Sequence, residues 1–201
     1  MTTAKDLFVI TLDHPGPEHA VGQGDLSLAL AGAELIDLIG AGAVTMDGDR
    51  VVPDGAPALD DRLLGEAAAR LTRQPPYETV EDWLWRRGRD LSAAYQSALE
   101  EDGELTRKRS GRLSFGSDAV EPVDTPGRRG AAARWEEKEP VLTALASAVG
   151  IGGGRSEDQP GLGDEAVTTV VAAVHDAVME LEAVRQRRTI ENSAFANLWR
   201  G

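Results

Sequence analysis

The stretch Leu26-Ser-Leu-Ala-Leu-Ala-Gly-Ala-Glu-Leu-Ile-Asp-Leu-Ile-Gly-Ala-Gly-Ala-Val-Thr-Met-Asp-Gly-Asp-Arg-Val-Val52 reads as a helix that runs into a β-hairpin. Ala33, Leu35, Ile36, Leu38 and Ile39 recur at helical spacing, and Gly40 and Gly42 stop the helix. Ala43 to Met46 then turns back through Asp47-Gly48 into Arg50-Val51-Val52. The same succession returns between Leu91 and Phe115. There Leu91, Ala94, Tyr95, Ala98 and Leu99 form the apolar stripe, Asp102-Gly103 stops it, and Glu104 to Arg109 turns at Ser110-Gly111 into Arg112-Leu113-Ser114-Phe115. The two hairpins differ in charge. The first has Asp47 and Asp49 beside one arginine, whereas the second concentrates Arg107, Lys108, Arg109 and Arg112, so the second is the better candidate for touching an anion.

Composition bounds that partner. With 201 residues, 21.4 kDa and 41% hydrophobic residues, the chain has enough apolar material for one core, and we expect a single domain over 1–201. A net charge of −13 repels nucleic acid and bulk anionic membrane in the far field. Anion binding therefore has to be local, within a screening length of roughly 8 to 10 Å. The absence of cysteine excludes disulfides, thiol catalysis and thiolate metal sites. Met-Thr-Thr-Ala-Lys-Asp at the start has no signal-peptide core, and the most apolar run, Val167 to Met179, is interrupted by His175 and Asp176. The expectation is a cytoplasmic protein that meets a membrane, if it does, from outside.

A pass along the chain gives mostly helix. Leu7 to Leu12 fits strand or helix and ends in the turn His14-Pro15-Gly16-Pro17. Leu59, Leu63, Leu64, Ala67, Ala68 and Leu71 make a helical stripe that stops before Pro75-Pro76. Thr79 followed by Asp82 forms a capping box with aspartate in place of glutamate, opening helical material that runs to Leu99 with a break permitted at Gly88. Gly116 to Gly130 is read as loop, Ala131 to Val149 as one helix bent at Pro140, and Gly150 to Gly163 as a glycine-rich flexible loop. Asp164 or a neighbour caps the longest helix, Glu165 to about Thr189, whose alanine and valine content predicts a central, buried position; 190–201 is a tail.

Arg86, Arg87 and Arg89 lie within one helical turn, so about two of them can face one ligand at ~100° per residue. A guanidinium grips a phosphomonoester through two parallel hydrogen bonds, which suits these residues to an anion of that kind. Two readings stand for them: a solvated face offsetting the many acids, or part of an anion site. For the basic hairpin the alternatives are an edge kept soluble by charge, an anionic lipid contact, or a protein partner that includes a second copy of this chain. Trp85 is offset from Trp83 by roughly 200°, so one of the pair is exposed beside the arginines. His14, Glu18 and His19 lack a third fixed ligand for zinc, His175-Asp176 points in two directions, and Gly150-Ile151-Gly152-Gly153-Gly154 follows a helix and lacks the Lys-Ser/Thr ending of a phosphate loop. No metal, cofactor or catalytic group is expected.

Three segments in order, Asp25 to Ile39, Pro75-Pro-Tyr-Glu-Thr-Val-Glu-Asp-Trp-Leu84, and Leu99-Glu-Glu-Asp-Gly-Glu-Leu-Thr106 with its hairpin, resemble the Golgi phosphoprotein 3 (GPP34) family, on its bacterial side. The likeness runs from Leu7 to about Thr189. It implies a mostly α fold, a helical bundle core with one or two peripheral β-hairpins. It further implies peripheral binding to membranes carrying phosphatidylinositol 4-phosphate, no catalysis, and a hairpin that mediates self-association; eukaryotic members also tether glycosyltransferase tails. In the family the head group is held by a tryptophan before the first core helix, an arginine within it, and basic residues on the helix before the long hairpin. Here Gly22-Gln23-Gly24 stands in the first place, Ala31 at or beside the second, and Arg89, with Arg86 and Arg87 upstream, near the third. The hairpin from Glu104 to Phe115 has the family's place and apolar ends.

The expectation is thus a non-catalytic peripheral membrane or adaptor protein. Its lipid head-group residues would be Arg86, Arg87 and Arg89. Its membrane or self-association hairpin would use Leu105, Arg107, Lys108, Arg109, Arg112, Leu113 and Phe115, with a homo-oligomer or a protein client as further partners. The alternatives are a winged-helix-like nucleic-acid binder, which the excess of acids opposes, and a general protein-interaction module.

Overall fold

One helix, α2 (Gln23–Gly40), has no polar face over most of its length. Leu28, Ala29, Leu30, Ala31, Ala33, Leu35 and Leu38 are all buried, so it is surrounded rather than laid on a surface. Small residues make the close approaches possible: a methyl added at Gly32 would come 2.3 Å from Val174 Cγ2. A computed structural model of the chain describes residues 2–14, 21–55, 57–108, 119–152 and 162–198. These form eight helices, with 64% of the chain helical, and two small antiparallel strand pairs, so the mostly α expectation holds. Around α2 pack α1 (Thr3–Asp13), α3 (Arg62–Ala69), α4 (Val80–Arg87), α5 (Leu91–Glu101), α7 (Pro140–Ala148) and α8 (Glu165–Leu198). Helix α6 (Pro126–Glu136) covers α1 and touches α7.

Leu7 to Leu12 resolves to helix, and the first turn of α1 finds partners for its amides. Thr2 Oγ1 accepts from Lys5 N (3.3 Å), and the Asp37 carboxylate of α2 accepts from Thr3 N (3.0 Å) and Ala4 N (3.2 Å). The first hairpin, β1 (Val44–Asp47) and β2 (Arg50–Pro53), pairs Asp47 with Arg50 across Gly48-Asp49, with Gly48 at φ 61°. The edge of β2 is not free: Val51 N donates to Glu78 O and Val80 N to Asp49 O, both at 2.9 Å.

Four expectations are corrected. Strand β3 (Leu105–Lys108) pairs with β4 (Ala119–Pro122) and not with Arg112–Phe115, which lies outside the described residues. Val123 N to Glu104 O (2.8 Å) extends the ladder, β4 leans on α1 and β3 on α5, and Leu105 is buried. Gly116 to Gly130 accordingly holds a strand and the start of α6 and is not all loop. The single bent helix from Ala131 to Val149 is two helices, separated where Lys138 takes φ 54°. Pro140 opens the second at N1, where its missing N–H costs nothing, and the Glu139 carboxylate accepts from Val141 N (3.2 Å) and Leu142 N (2.8 Å).

The fourth correction concerns α8. It runs to Leu198, so the segment from residue 190 is helix and not tail, and it is not central. Val170, Val174 and Ala177 are its buried residues, whereas Met179, Val184 and Ile190 are exposed. Valines fill one stripe of α8, but its other faces carry exposed acids such as Glu165, Asp176, Glu180 and Glu182, whereas α2 has apolar residues all round.

Candidate functional site

Helix α4 begins at the capping box read from the sequence. Asp82 N donates to Thr79 Oγ1 (3.0 Å), and Thr79 N donates to Asp82 Oδ2 (3.3 Å). Those bonds from Thr79 hold the Asp82 carboxyl below its ordinary range. Its last turn carries the arginines, and Gly88 closes it against α2, where a methyl would sit 3.3 Å from Ser27 O. Asp90, at φ 55°, starts the change of direction into α5.

The three arginines have three different fates. Arg86 is exposed but engaged: its guanidinium donates to the Glu78 carboxylate at 2.7 to 3.1 Å and to Arg70 O at 3.2 Å, and it lies 5.3 Å over the Trp83 ring. Arg87 turns inward. Its Nε and Nη2 each donate to Glu34 at 2.7 Å, and the Tyr95 hydroxyl donates to Glu34 Oε1 at 3.1 Å. Burial raises the Glu34 carboxyl, opposed by the Arg87 bonds, and pushes the Tyr95 hydroxyl well above its usual value. Arg87 is therefore removed from the expected head-group set, because a 6% exposed guanidinium held in a bidentate core pair has nothing left to offer a ligand. Arg89 is exposed, and among the described residues it has no ion-pair partner.

Arg89 stands at an open cleft of about 330 Å³ between the N-terminus of α2 and the α4–α5 turn. Gln23, Gly24 and Ser27 supply one wall, Trp85, Gly88 and Asp90 another, and Leu181 of α8 closes a side. Ser92 N donates to Ser27 Oγ, whose hydroxyl donates to Ser92 Oγ, both at 3.0 Å, so the floor is pinned across α2 and α5. The N-cap of α2 is Gly22, with no side-chain bond to the first turn, so its amides are left for solvent or a ligand. Beside them Arg185 of α8 grips Asp25 at 2.7 and 2.8 Å. A second, smaller cavity of about 160 Å³, lined by Phe8, Leu12, Val21 and Leu26, shares Gln23, Ser92 and Ala93 with the cleft. The tryptophan pair divides: Trp83 is buried and donates Nε1 to Ala31 O (2.9 Å), and Trp85 is half-buried, not exposed, and lines the cleft.

The positions that depart from the family pattern have local reasons. Ala31 is fully buried with its carbonyl taken by Trp83, so no arginine fits there in this packing. A methyl at Gly24 would come 2.9 Å from Leu181 Cδ2 and 3.0 Å from Arg185 Nη2, so α8 occupies the space a large side chain would need.

The hairpin set is described only in part. Leu105 is buried in the core, and so it is removed from the expected contact surface. Arg107 and Lys108 lie on β3 opposite Val120 and Ala119. Arg109, Arg112, Leu113 and Phe115 lie outside the described residues, as do Glu18 and His19. His14 stacks on Trp135 with ring centroids 5.6 Å apart. Among the described residues there is no cluster able to hold a metal ion and no helix long and apolar enough to cross a membrane.

Sequence reasoning missed the partners of Arg87 and Arg185. A signal was present: Glu34 stands inside the apolar run from Leu26 to Ile39, and a carboxylate on a buried helix requires a cation. Which cation answers it, 53 residues away, is set by the fold.

No curated protein matches the chain. The family model of Golgi phosphoprotein 3 (GPP34) matches residues 4–190, a span that holds α1 through α7, both hairpins, the cleft and most of α8. The chain belongs to the Golgi phosphoprotein 3 (GPP34) family.

Proposed function

We propose that the protein is a non-catalytic peripheral membrane adaptor that takes an anionic phospholipid head group, of the phosphatidylinositol 4-phosphate type, into the cleft at Arg89. The observation that carries this reading is Arg89 itself, a guanidinium without an ion-pair partner among the described residues, at an open cleft that has the uncapped start of an 18-residue helix as one wall. Arg86 and Arg87, a few residues away, are both committed to carboxylates, so Arg89 is the cation of that turn free to exchange water for phosphate oxygens. Asp90 on the same rim limits the positive field. Selectivity for one phosphoinositide over other acidic lipids is therefore modest, and binding is salt-sensitive. Family membership supports the adaptor role.

The test is cosedimentation with vesicles of neutral lipid alone, with phosphatidylserine, and with phosphatidylinositol 4-phosphate, at about 50 and 300 mM salt, which changes the screening length about two-fold or more. Wild-type protein should sediment with both acidic compositions at low salt, and Arg89→Glu should remain in the supernatant. Wild-type protein that ignores every acidic vesicle, or an Arg89→Glu variant that binds like wild type, would overturn the reading.

A further inference from the structure

Asp90 stands where a residue caps α5 and does not cap it. Aspartate is among the preferred N-cap residues because its carboxylate accepts from the second or third amide of the helix. Here Asp90 takes φ 55°, its side chain makes no cap bond, and the amide of the second position, Ser92 N, is held by Ser27 Oγ at 3.0 Å instead. A left-handed backbone is itself uncommon for a residue with a side chain. Asp90 is exposed on the wall of the cleft, next to Arg89. Among the described residues neither side chain makes an ion pair or a hydrogen bond, not even with the other. The same cleft is lined by the exposed Gln23, whose side-chain amide is likewise without a hydrogen bond among the described residues, and by the half-buried Trp85.

For a bare phosphate this lining works against itself, because the carboxylate repels what the guanidinium attracts. For a phosphate carried on a hydroxylated ring it is complementary. An ionised carboxylate can only accept hydrogen bonds, and a hydroxyl beside the phosphate is a neutral donor that supplies one. The Gln23 amide both donates and accepts, as hydroxyls do, and an indole gives the carbon face of a ring an apolar surface. An ammonium would also answer Asp90, but it has no acceptor for the amide donors of Gln23. We propose that Arg89 and Asp90 together read a phosphorylated polyol, the guanidinium donating to the phosphate and the carboxylate accepting from ring hydroxyls next to it. The proposal rests on the head-group reading of the cleft and narrows its ligand class to a phosphomonoester on a hydroxylated ring, carried by a lipid or free in solution. Asp90 is then the specificity-determining residue, since a site that bonds a hydroxyl binds less well an analogue that lacks it. Its effect has opposite signs for the two kinds of anion: it holds a polyol phosphate and repels a bare one.

Asparagine tolerates the left-handed backbone about as well as aspartate, so Asp90→Asn removes the charge and should unfold in urea at the wild-type midpoint. The full chain is titrated with inositol 1,4-bisphosphate, phosphoethanolamine and inorganic phosphate, followed by nuclear magnetic resonance. Asp90→Asn should lower the affinity for inositol 1,4-bisphosphate about fivefold to tenfold, the difference between a charged and a neutral acceptor, and should raise that for inorganic phosphate. Arg89→Ser should weaken the binding of all three. Equal changes for inositol 1,4-bisphosphate and inorganic phosphate in Asp90→Asn would overturn the polyol reading and leave Arg89 as the head-group residue. A larger loss for phosphoethanolamine than for inositol 1,4-bisphosphate would assign Asp90 to an amine and also overturn it. Wild-type protein that takes inositol 1,4-bisphosphate but ignores vesicles bearing phosphatidylinositol 4-phosphate would support the polyol class and remove the membrane. Binding unchanged in Arg89→Ser would remove the head-group reading, and the polyol reading with it.

Discussion

The middle of α2 and its N-terminal end treat charge in opposite ways. In the middle, Glu34 is fully buried and every strong bond it can make is made, to both donors of Arg87 and to the Tyr95 hydroxyl. At the N-terminal end, Gly22 leaves the first amides uncapped, Asp25 holds Arg185, and Arg89 stands open across the cleft. A buried charge has to be completely satisfied because its desolvation is not returned by water, whereas a charge at an open end keeps its hydration until a ligand replaces it. The middle of the helix is therefore fixed by an ionic group that ties α2 to α4 and α5, while its N-terminal end faces Arg89, a cation of the α4–α5 turn with no ion-pair partner among the described residues. Arg87 and Arg89, two residues apart, belong to these two regimes.

Breaking the buried side should have the largest effect. Glu34→Gln leaves the Arg87 guanidinium buried without its carboxylate, and the expected loss is about 3 to 5 kcal/mol, read from urea unfolding followed by circular dichroism. The double variant Glu34→Leu/Arg87→Met should regain most of that. A single variant as stable as wild type would mean that water reaches Arg87 and that the two ends of α2 do not differ as described. Next in size is Gly32→Ala. Helix propensity alone favours alanine by about 1 kcal/mol, but the new methyl lands 2.3 Å from a stiff valine on α8, so we expect a net loss of about 1 to 3 kcal/mol in the same measurement. A stabilised variant would show that α8 shifts away at little cost.

The open side should behave otherwise. Arg89→Ser is expected to leave stability within about 0.5 kcal/mol while lowering vesicle affinity, and Arg86→Ser to do the reverse in miniature, costing up to about 1 kcal/mol through Glu78 with little change in vesicle binding. If the two substitutions affect binding equally, the ion pair at Arg86 opens for the ligand. The smallest effect concerns acidity. Burial raises the Asp37 carboxyl above its ordinary value of 3.8, against the bonds it accepts from α1. A carboxyl that holds its proton more tightly when folded makes stability fall as pH rises from 3.8 through the raised folded value. Asp37→Asn keeps an oxygen for the cap of α1 and removes that slope, so its stability should fall less than wild type over the same rise in pH. Parallel curves would show that Asp37 titrates alike in both states.

Much of the fold was legible because it is local. The box at Thr79 and Asp82, the stop at Gly40 to Gly42 and the first hairpin, whose turn was read at Asp47-Gly48 and falls one residue later at Gly48-Asp49, all follow from residues within about one turn of each other. The errors share another cause. Apolar content misplaced the centre, because the valines of α8 fill one stripe while exposed acids occupy its other faces, and α2 is the helix with apolar residues all round. Pro140 announces an interruption but not whether it bends one helix or starts another; that was decided by Glu139 as a cap and Lys138 in the left-handed region. The site was half legible. Three arginines in four residues mark the place, and only the long-range pair with Glu34 and the ion pair with Glu78 show which of them is left over.

The bridge between the first hairpin and the start of α4 has a practical consequence for anyone who cuts, tags or permutes this chain. Hairpin tips are ordinarily the safest places for an insertion. This one is spliced to a helix start, since Asp49 O holds Val80 N and Arg50 Nη1 holds Tyr77 O. A tag placed between Gly48 and Asp49 would pull on the first turn of α4, and through it on the segment that ends at Arg89.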